Sequence, residues 1–149
     1  IVDRIKKYFY LQKNQSVFFL GNSMLFPISN YGSLKVKEVF GVKSFAYSLE
    51  QFCHSPLFSI SKNDIIIIFS SKNQHLNEKA KKLSNNLNSI KIKAIFIEIP
   101  FKNTIEIFLM ASFIIEMLIY GLATEKGMND CYFLENKNLL NISSELIYN

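Results

Sequence analysis

Lys35 and Glu38 stand three residues apart in the stretch Ser33-Leu34-Lys35-Val36-Lys37-Glu38. On a helix that spacing puts the ammonium and the carboxylate on one face. A carboxylate beside a substrate carbon can take a proton and return it, and a neighbouring ammonium can stabilise the negative charge that develops. His54 follows Glu38 by 54 − 38 = 16 residues and is the side-chain type suited to acid–base work near neutral pH. A third candidate is Ser70-Ser71-Lys72-Asn73-Gln74, read as a polar turn after a strand and before a helix, whose backbone N–H groups could hold a phosphate. It lacks the glycine that allows close backbone approach. Each feature also has a plainer reading: a surface ion pair, a structural histidine, a polar helix cap.

Taken together, the parts suit aldose–ketose isomerisation. That reaction moves a proton between adjacent carbons of an open-chain sugar. Glu38 would carry the proton, His54 would open the ring, and Lys35 would stabilise the enediolate. Ser70 and Ser71 would contact the phosphate. Proton transfer of this kind calls for no metal and no organic cofactor.

These groups need a scaffold, and the chain alternates short apolar runs with amphipathic stretches. Val2 to Leu11 reads as a helix. Ser16–Leu20, Ser44–Tyr47, Asp64–Phe69 and Lys91–Ile99 read as strands, and the continuous apolar runs among them fit strands buried on both faces. Gly21 ends the first strand, and Asn22 or Ser23 would cap a helix from about Met24 to Phe40, which Gly41 stops. Phe52, Cys53, His54, Ser55 and Pro56 are expected in a loop. Leu76 to Asn88 reads as a charged helix, and Asn103 caps a long helix reaching about Lys126. The tail after Met128 shows no clear period. Strands alternating with helices predict an α/β domain, a three-layer αβα sandwich around a parallel, flavodoxin-like sheet. In such sheets ligands sit at the carboxyl ends of the strands, which would gather Gly21–Ser23, the His54 loop and Ser70–Asn73 at one edge.

The 149 residues fit a single domain, 1–149. The charge of +5 suits anionic ligands, but the lysines are scattered and form no basic block, so a nucleic-acid partner is not indicated. Two cysteines, Cys53 and Cys131, form no metal-ligand spacing and fit a reducing, cytoplasmic setting. The first fifteen residues do not read as a secretory signal. Because the sequence begins with Ile1, the chain reads as a piece of a longer polypeptide. Thr104 to Ala123 is long and apolar enough to imitate a membrane span. Glu106 and Glu116 argue against that reading, and a helix buried between domains or subunits is expected.

The stretch Phe18-Phe19-Leu20-Gly21-Asn22-Ser23, with Phe26-Pro27-Ile28 and Gly32-Ser33-Leu34-Lys35-Val36-Lys37-Glu38, resembles the second sugar-isomerase (SIS) domain of glucosamine-6-phosphate synthase and its relatives. That family reads strand, Leu-Gly-Arg-Gly, then a Tyr-Pro-Ile-Ala-Leu-Glu-Gly-Ala-Leu-Lys-Leu-Lys-Glu helix, then a loop ending His-Gly-Pro. Here the loop ends His54-Ser55-Pro56, and Leu118 to Gly127 resembles the family's last long helix. The resemblance covers about residues 16 to 127. It implies Glu38 as isomerase base, Lys35 as its adjacent lysine and His54 as the ring-opening group. It implies a C-terminal lobe of a two-lobed protein acting on a hexose 6-phosphate of the fructose or glucosamine type, by isomerisation or deamination. The partner would be a first lobe or a second subunit in a homodimer, with the histidine reaching the neighbouring site. The departures are Asn22 for Arg, Asn30 for a Glu, Glu50-Gln51 for Gly-Glu and Cys53 for Lys. They motivate an alternative, a non-catalytic sugar-phosphate-binding domain.

Overall fold

A computed structural model describes residues 2–7, 9, 14–72 and 77–148, the side chain of Arg4 excepted. The elements in chain order are α1 (Val2–Lys6), β1 (Val17–Leu20), α2 (Leu25–Phe40), β2 (Ser44–Tyr47), α3 (Leu49–His54), a 3₁₀ turn at Pro56–Ser59, β3 (Ile65–Ser71), α4 (Asn77–Ser89), β4 (Lys93–Ile99), α5 (Thr104–Glu125), α6 (Tyr132–Glu135) and α7 (Lys137–Tyr148). The four strands form one parallel sheet in the order β2-β1-β3-β4. This is the expected three-layer α/β arrangement.

The strands explain the layers. Val17, Phe19, Ile65, Ile67, Ile95 and Ile97 point to one face and join a core with α2 and α5, while Phe18, Leu20, Ile66, Ile68 and Ala94 point to the other and pack with α3 and α4. Alternate side chains leave a strand on opposite faces, so a strand apolar at every position needs cover on both sides. All seven residues of β3 are buried. At the amino ends of β1 and β3 the buried Asp64 accepts hydrogen bonds from the backbone of Ser16 (2.8 Å) and Ser61 (2.6 Å), fixing the start of both strands.

Several boundaries differ from the sequence reading. No side chain caps α2; Met24 occupies its N-cap, and Asn22 instead accepts a hydrogen bond from the Leu49 backbone at 3.1 Å. Gly41 ends α2 as expected, with φ of 63° and its N–H donating to Lys37, a left-handed conformation that glycine adopts without steric penalty. The expected His54 loop is helical: Ser48 and Gln51 form a capping box that starts α3, a signal readable as Ser-x-x-Gln. Asn103 caps α5 through a 2.8 Å bond from Ile105 N–H. The tail is helical as α6 and α7 rather than irregular. Ile1, residues 8 and 10–11 of the expected first helix, and Asn73, Gln74 and Leu76 lie outside the described residues.

Only one face of α5 is buried, and it is buried within this domain rather than between domains or subunits. Ile107, Ala111, Ile114, Ile115, Leu118, Ile119 and Leu122 are buried against α2 and the sheet, whereas Ile105, Phe108, Leu109, Phe113 and Tyr120 face outward. By length and composition alone α5 could cross a bilayer. Its inner face belongs to the core of this domain.

Candidate active site

The face of α2 that carries Lys35 and Glu38 is set by the packing of its opposite face. Ile28, Ser29, Gly32, Ser33 and Val36 are buried, at spacings of three and four that line one side of a helix. Gly32 allows the closest approach: a Cβ there would lie 2.8 Å from Cε1 of Phe19 and 3.1 Å from Cδ1 of Ile115. With that side pressed on the sheet, Lys35 and Glu38 turn outward. Lys35 Nζ donates to Glu38 Oε2 at 3.1 Å, with both side chains partly solvent-exposed. The same ammonium lies 5.6 Å from the centroid of the Tyr31 ring, and the Tyr31 hydroxyl donates to Glu116 Oε1 on α5. Tyr31, Lys35, Glu38 and Glu116 thus form one polar cluster across the outer faces of α2 and α5.

Tyr31 and Glu116 were not paired as site residues from sequence, because 85 residues separate them and only the α2–α5 packing joins them. The motif register does point to Tyr31. The family's helix carries its Glu directly before the Gly, and the residue directly before Gly32 is Tyr31. Tyr31, rather than Asn30, therefore stands at that position; Asn30 is simply exposed.

Chain topology separates His54 from Glu38. Glu38 lies in the last turn of α2, which leads into the amino end of β2, while His54 ends α3, which leaves the carboxyl end of β2. The four residues of β2 alone span roughly 13 Å. Lys35 and Glu38 are brought together by the fold, and His54 of the same chain sits toward the other end of the sheet. His54 is exposed. Lys35 and Glu38 accordingly lie away from the strand carboxyl ends where the sheet geometry led us to expect the ligand.

The carboxyl edge gathers the remaining candidates. Gly21 follows β1, Ser48 follows β2, and Ser70 and Ser71 end β3. Ser70 and Ser71 are not in a turn: both are buried strand residues, in register with Glu98 and Ile99 of β4. The strand therefore runs on through Ser71, and the expected polar turn begins no earlier than Lys72. A cavity of about 350 Å³ near this edge is lined by Leu49, Glu50 and Cys53 of α3 and Lys79 and Leu83 of α4. Burial pushes the Cys53 thiol above its ordinary pKa, which keeps it protonated and a poor nucleophile at neutral pH. Among the described residues no group of three His, Cys, Asp or Glu side chains is placed to hold a metal ion.

No protein-family profile matches the chain. It is similar to the glutamine–fructose-6-phosphate aminotransferase of Sulfolobus acidocaldarius, 28% identical over 133 residues that make up 80% of this chain and 22% of that protein. Among solved structures it is similar to the C-terminal domain of glucosamine-fructose-6-phosphate aminotransferase from Francisella tularensis, with a TM-score of 0.70 and 23% identity over 85% of this chain and 39% of that one. It is also similar to glucosamine-6-phosphate deaminase from Thermotoga maritima, with a TM-score of 0.65 and 24% identity over 85% of this chain and 40% of that one. The chain spans 12 to 24% of the length of the curated relatives it matches. Sequence likeness across most of the chain, the parallel sheet shared with those structures and the Gly32–Glu38 helix motif agree: the chain resembles sugar-isomerase (SIS) domains and shares their fold.

Proposed function

We propose that this domain serves a phosphosugar isomerase-type protein acting on a hexose 6-phosphate of the fructose 6-phosphate or glucosamine 6-phosphate class, with Glu38 as the proton-transfer base. The observation that carries the reading is the Lys35–Glu38 pair at 3.1 Å on the outer face of α2, within the helix segment that resembles the family's isomerase motif. Glu38 takes a proton from the carbon next to the carbonyl of the open-chain sugar and returns it to the neighbouring carbon. Lys35 lies against the enediolate oxygen formed in between. The likeness to an isomerising aminotransferase and to a deaminase supports the sugar-phosphate class.

A partly exposed pair cannot exclude water by itself, and a dry, enclosed site is where electrostatic stabilisation is strong. We therefore read the active cleft as composite. A second lobe or a second subunit closes over α2, and a His54 from that copy serves ring opening, since the His54 of the same chain sits toward the other end of the sheet. The exposed apolar residues of α5 that adjoin the polar cluster suit such a closure. This reaction class and the cysteine usage suit the cytoplasm.

The test is deuterium incorporation at C1 or C2 of fructose 6-phosphate in heavy water, with the intact protein and with Glu38→Gln. The pair is solvent-screened and contributes only about 0.3–0.5 kcal/mol to stability, so the variant should keep the fold. Exchange should fall about 10²–10⁴-fold, the usual contribution of a positioned acid or base. Unchanged exchange in Glu38→Gln would remove Glu38 from the role. A second reading, a non-catalytic sugar-phosphate-binding domain, is favoured by Tyr31 standing at the family's Glu position and engaging Glu116. It gives binding of the sugar phosphate, seen as a thermal shift, with no deuterium uptake in the unaltered protein.

A further inference from the structure

The sheet ends at β4, whose outer side pairs with no strand among the described residues. Flavodoxin-like sheets continue the order 2-1-3-4 with a fifth strand at this position. An unpaired edge is a ready template for another chain. In this molecule one side chain occupies part of it. Asn88, at the end of α4, donates from Nδ2 to the Ala94 carbonyl at 2.8 Å and accepts at Oδ1 from the Ala94 N–H at 3.1 Å. A neighbouring strand would make the same two bonds. Since the backbone groups of Ala94 point outward, the period of two along a strand sends those of Phe96 and Glu98 outward as well. Beside this edge lies a cavity of about 440 Å³ between α4 and β4, lined by Lys81, Ser84, Asn85, Asn88 and Phe96 among others, with no carboxylate in its wall.

We propose that the outer edge of β4 is a latent pairing edge for the β4 of a second copy of this chain, and that Asn88 holds it shut. The two-fold antiparallel register that uses all three outward residues sets Phe96 opposite Phe96 of the second copy, and Ala94 opposite Glu98. The incoming backbone at Glu98 then takes over both bonds that Asn88 makes to Ala94, so no peptide group loses its partner. Ala94, Phe96 and Glu98 share one face of the strand, and Ala94 and Phe96 belong to the α4 side. The incoming Glu98 carboxylate therefore arrives on the α4 side, at the cavity that holds Lys81 and no acid. In the closed state that carboxylate accepts from Asn77 Nδ2 of its own chain at 2.9 Å. The second copy is thus specified by hydrogen-bond replacement and by charge.

The test is association by sedimentation velocity together with amide hydrogen exchange at residues 94–98. Asn88→Ala removes the competitor, worth two hydrogen bonds, and should strengthen association by one oligomeric step about tenfold or more. Exchange at Phe96 and Glu98 should slow as the protein concentration rises. Adding Glu98→Lys, which brings a cation to Lys81, should reverse the gain while leaving the fold of the single copy unchanged. Equal association of Asn88→Ala and the unaltered chain would overturn the proposal. So would association that persists in the double variant, or that leaves residues 94–98 unprotected, because the contact would then lie on another surface.

Discussion

Phe18 and Phe19 are neighbours on β1, yet they serve two differently built faces of the sheet. Phe19 is fully buried in the core shared with α2 and α5, where the Gly32 backbone presses on its ring and Ile115 packs close to Gly32. Phe18 lies in an aromatic cluster, stacked on Phe45 with centroids 5.3 Å apart and edge-on to Phe52 at 5.8 Å. Phe45 is 38% exposed, and two cavities open on the α3/α4 side. On the α2/α5 face helix closes against sheet, and at Gly32 there is no space for a methyl group. The α3/α4 face relies on stacked rings, a capping box and Asn88. The lesson is that the two kinds of candidate site rest on different supports. Glu38 is held by a tightly packed helix, and His54 by a six-residue helix whose position depends on its cap.

The comparison can be broken most severely at Phe19. Phe19→Ala should cost about 3–5 kcal/mol, read as the shift in urea midpoint at constant slope. Gly32→Ala probes the same contact from the helix side. Its added methyl meets the Phe19 ring at 2.8 Å, and overpacking of this kind costs about 1–3 kcal/mol. A neutral result would mean that α2 can lift from the sheet, and the outward presentation of Lys35 and Glu38 would lose its explanation. Ser48→Ala removes the α3 cap, with its 3.2 Å bond from Gln51 N–H, and should cost about 1 kcal/mol. The backbone resonances of Glu50 to His54 should shift and those of Lys35 and Glu38 should not, which separates the two supports directly.

The smallest effect belongs to α1. Lys6 Nζ lies 2.6 Å from Glu125 Oε1 at the end of α5, and that hydrogen bond raises the Lys6 pKa above its ordinary value, against the opposing effect of desolvation. A raised lysine pKa means the contact contributes fully below the unfolded value of about 10.4 and is lost as pH climbs through the folded value. Amide exchange in Val2–Lys6, corrected for its intrinsic pH dependence, should therefore report constant protection through neutral pH and weaker protection only above about pH 10. Lys6→Met should show the weaker protection at every pH.

Much of the scaffold was legible because its signals are local. Apolar runs such as Ile65 to Phe69 announce strands buried on both faces, Gly41 announces the end of α2, and Asn103 the start of α5. The helix of α3 was missed although Ser48 and Gln51 carry the capping-box spacing, because its six residues are too few to show a period. The turn expected at Ser70 was misplaced because serine favours turns on average, while β4 supplies a ladder partner to both Ser70 and Ser71.

By itself the sequence determined the alternation of strand and helix, the i,i+3 pairing of Lys35 with Glu38, and the likeness to sugar-isomerase domains, since each depends on spacing along a few consecutive residues. Tertiary structure alone decided that Glu38 and His54 belong to opposite ends of β2, that Tyr31 meets Glu116 across two helices, and that Asn88 stands in for a strand at the edge of the sheet. Those relations join residues brought together by chain crossovers and helix packing, and no local pattern of residue types records them.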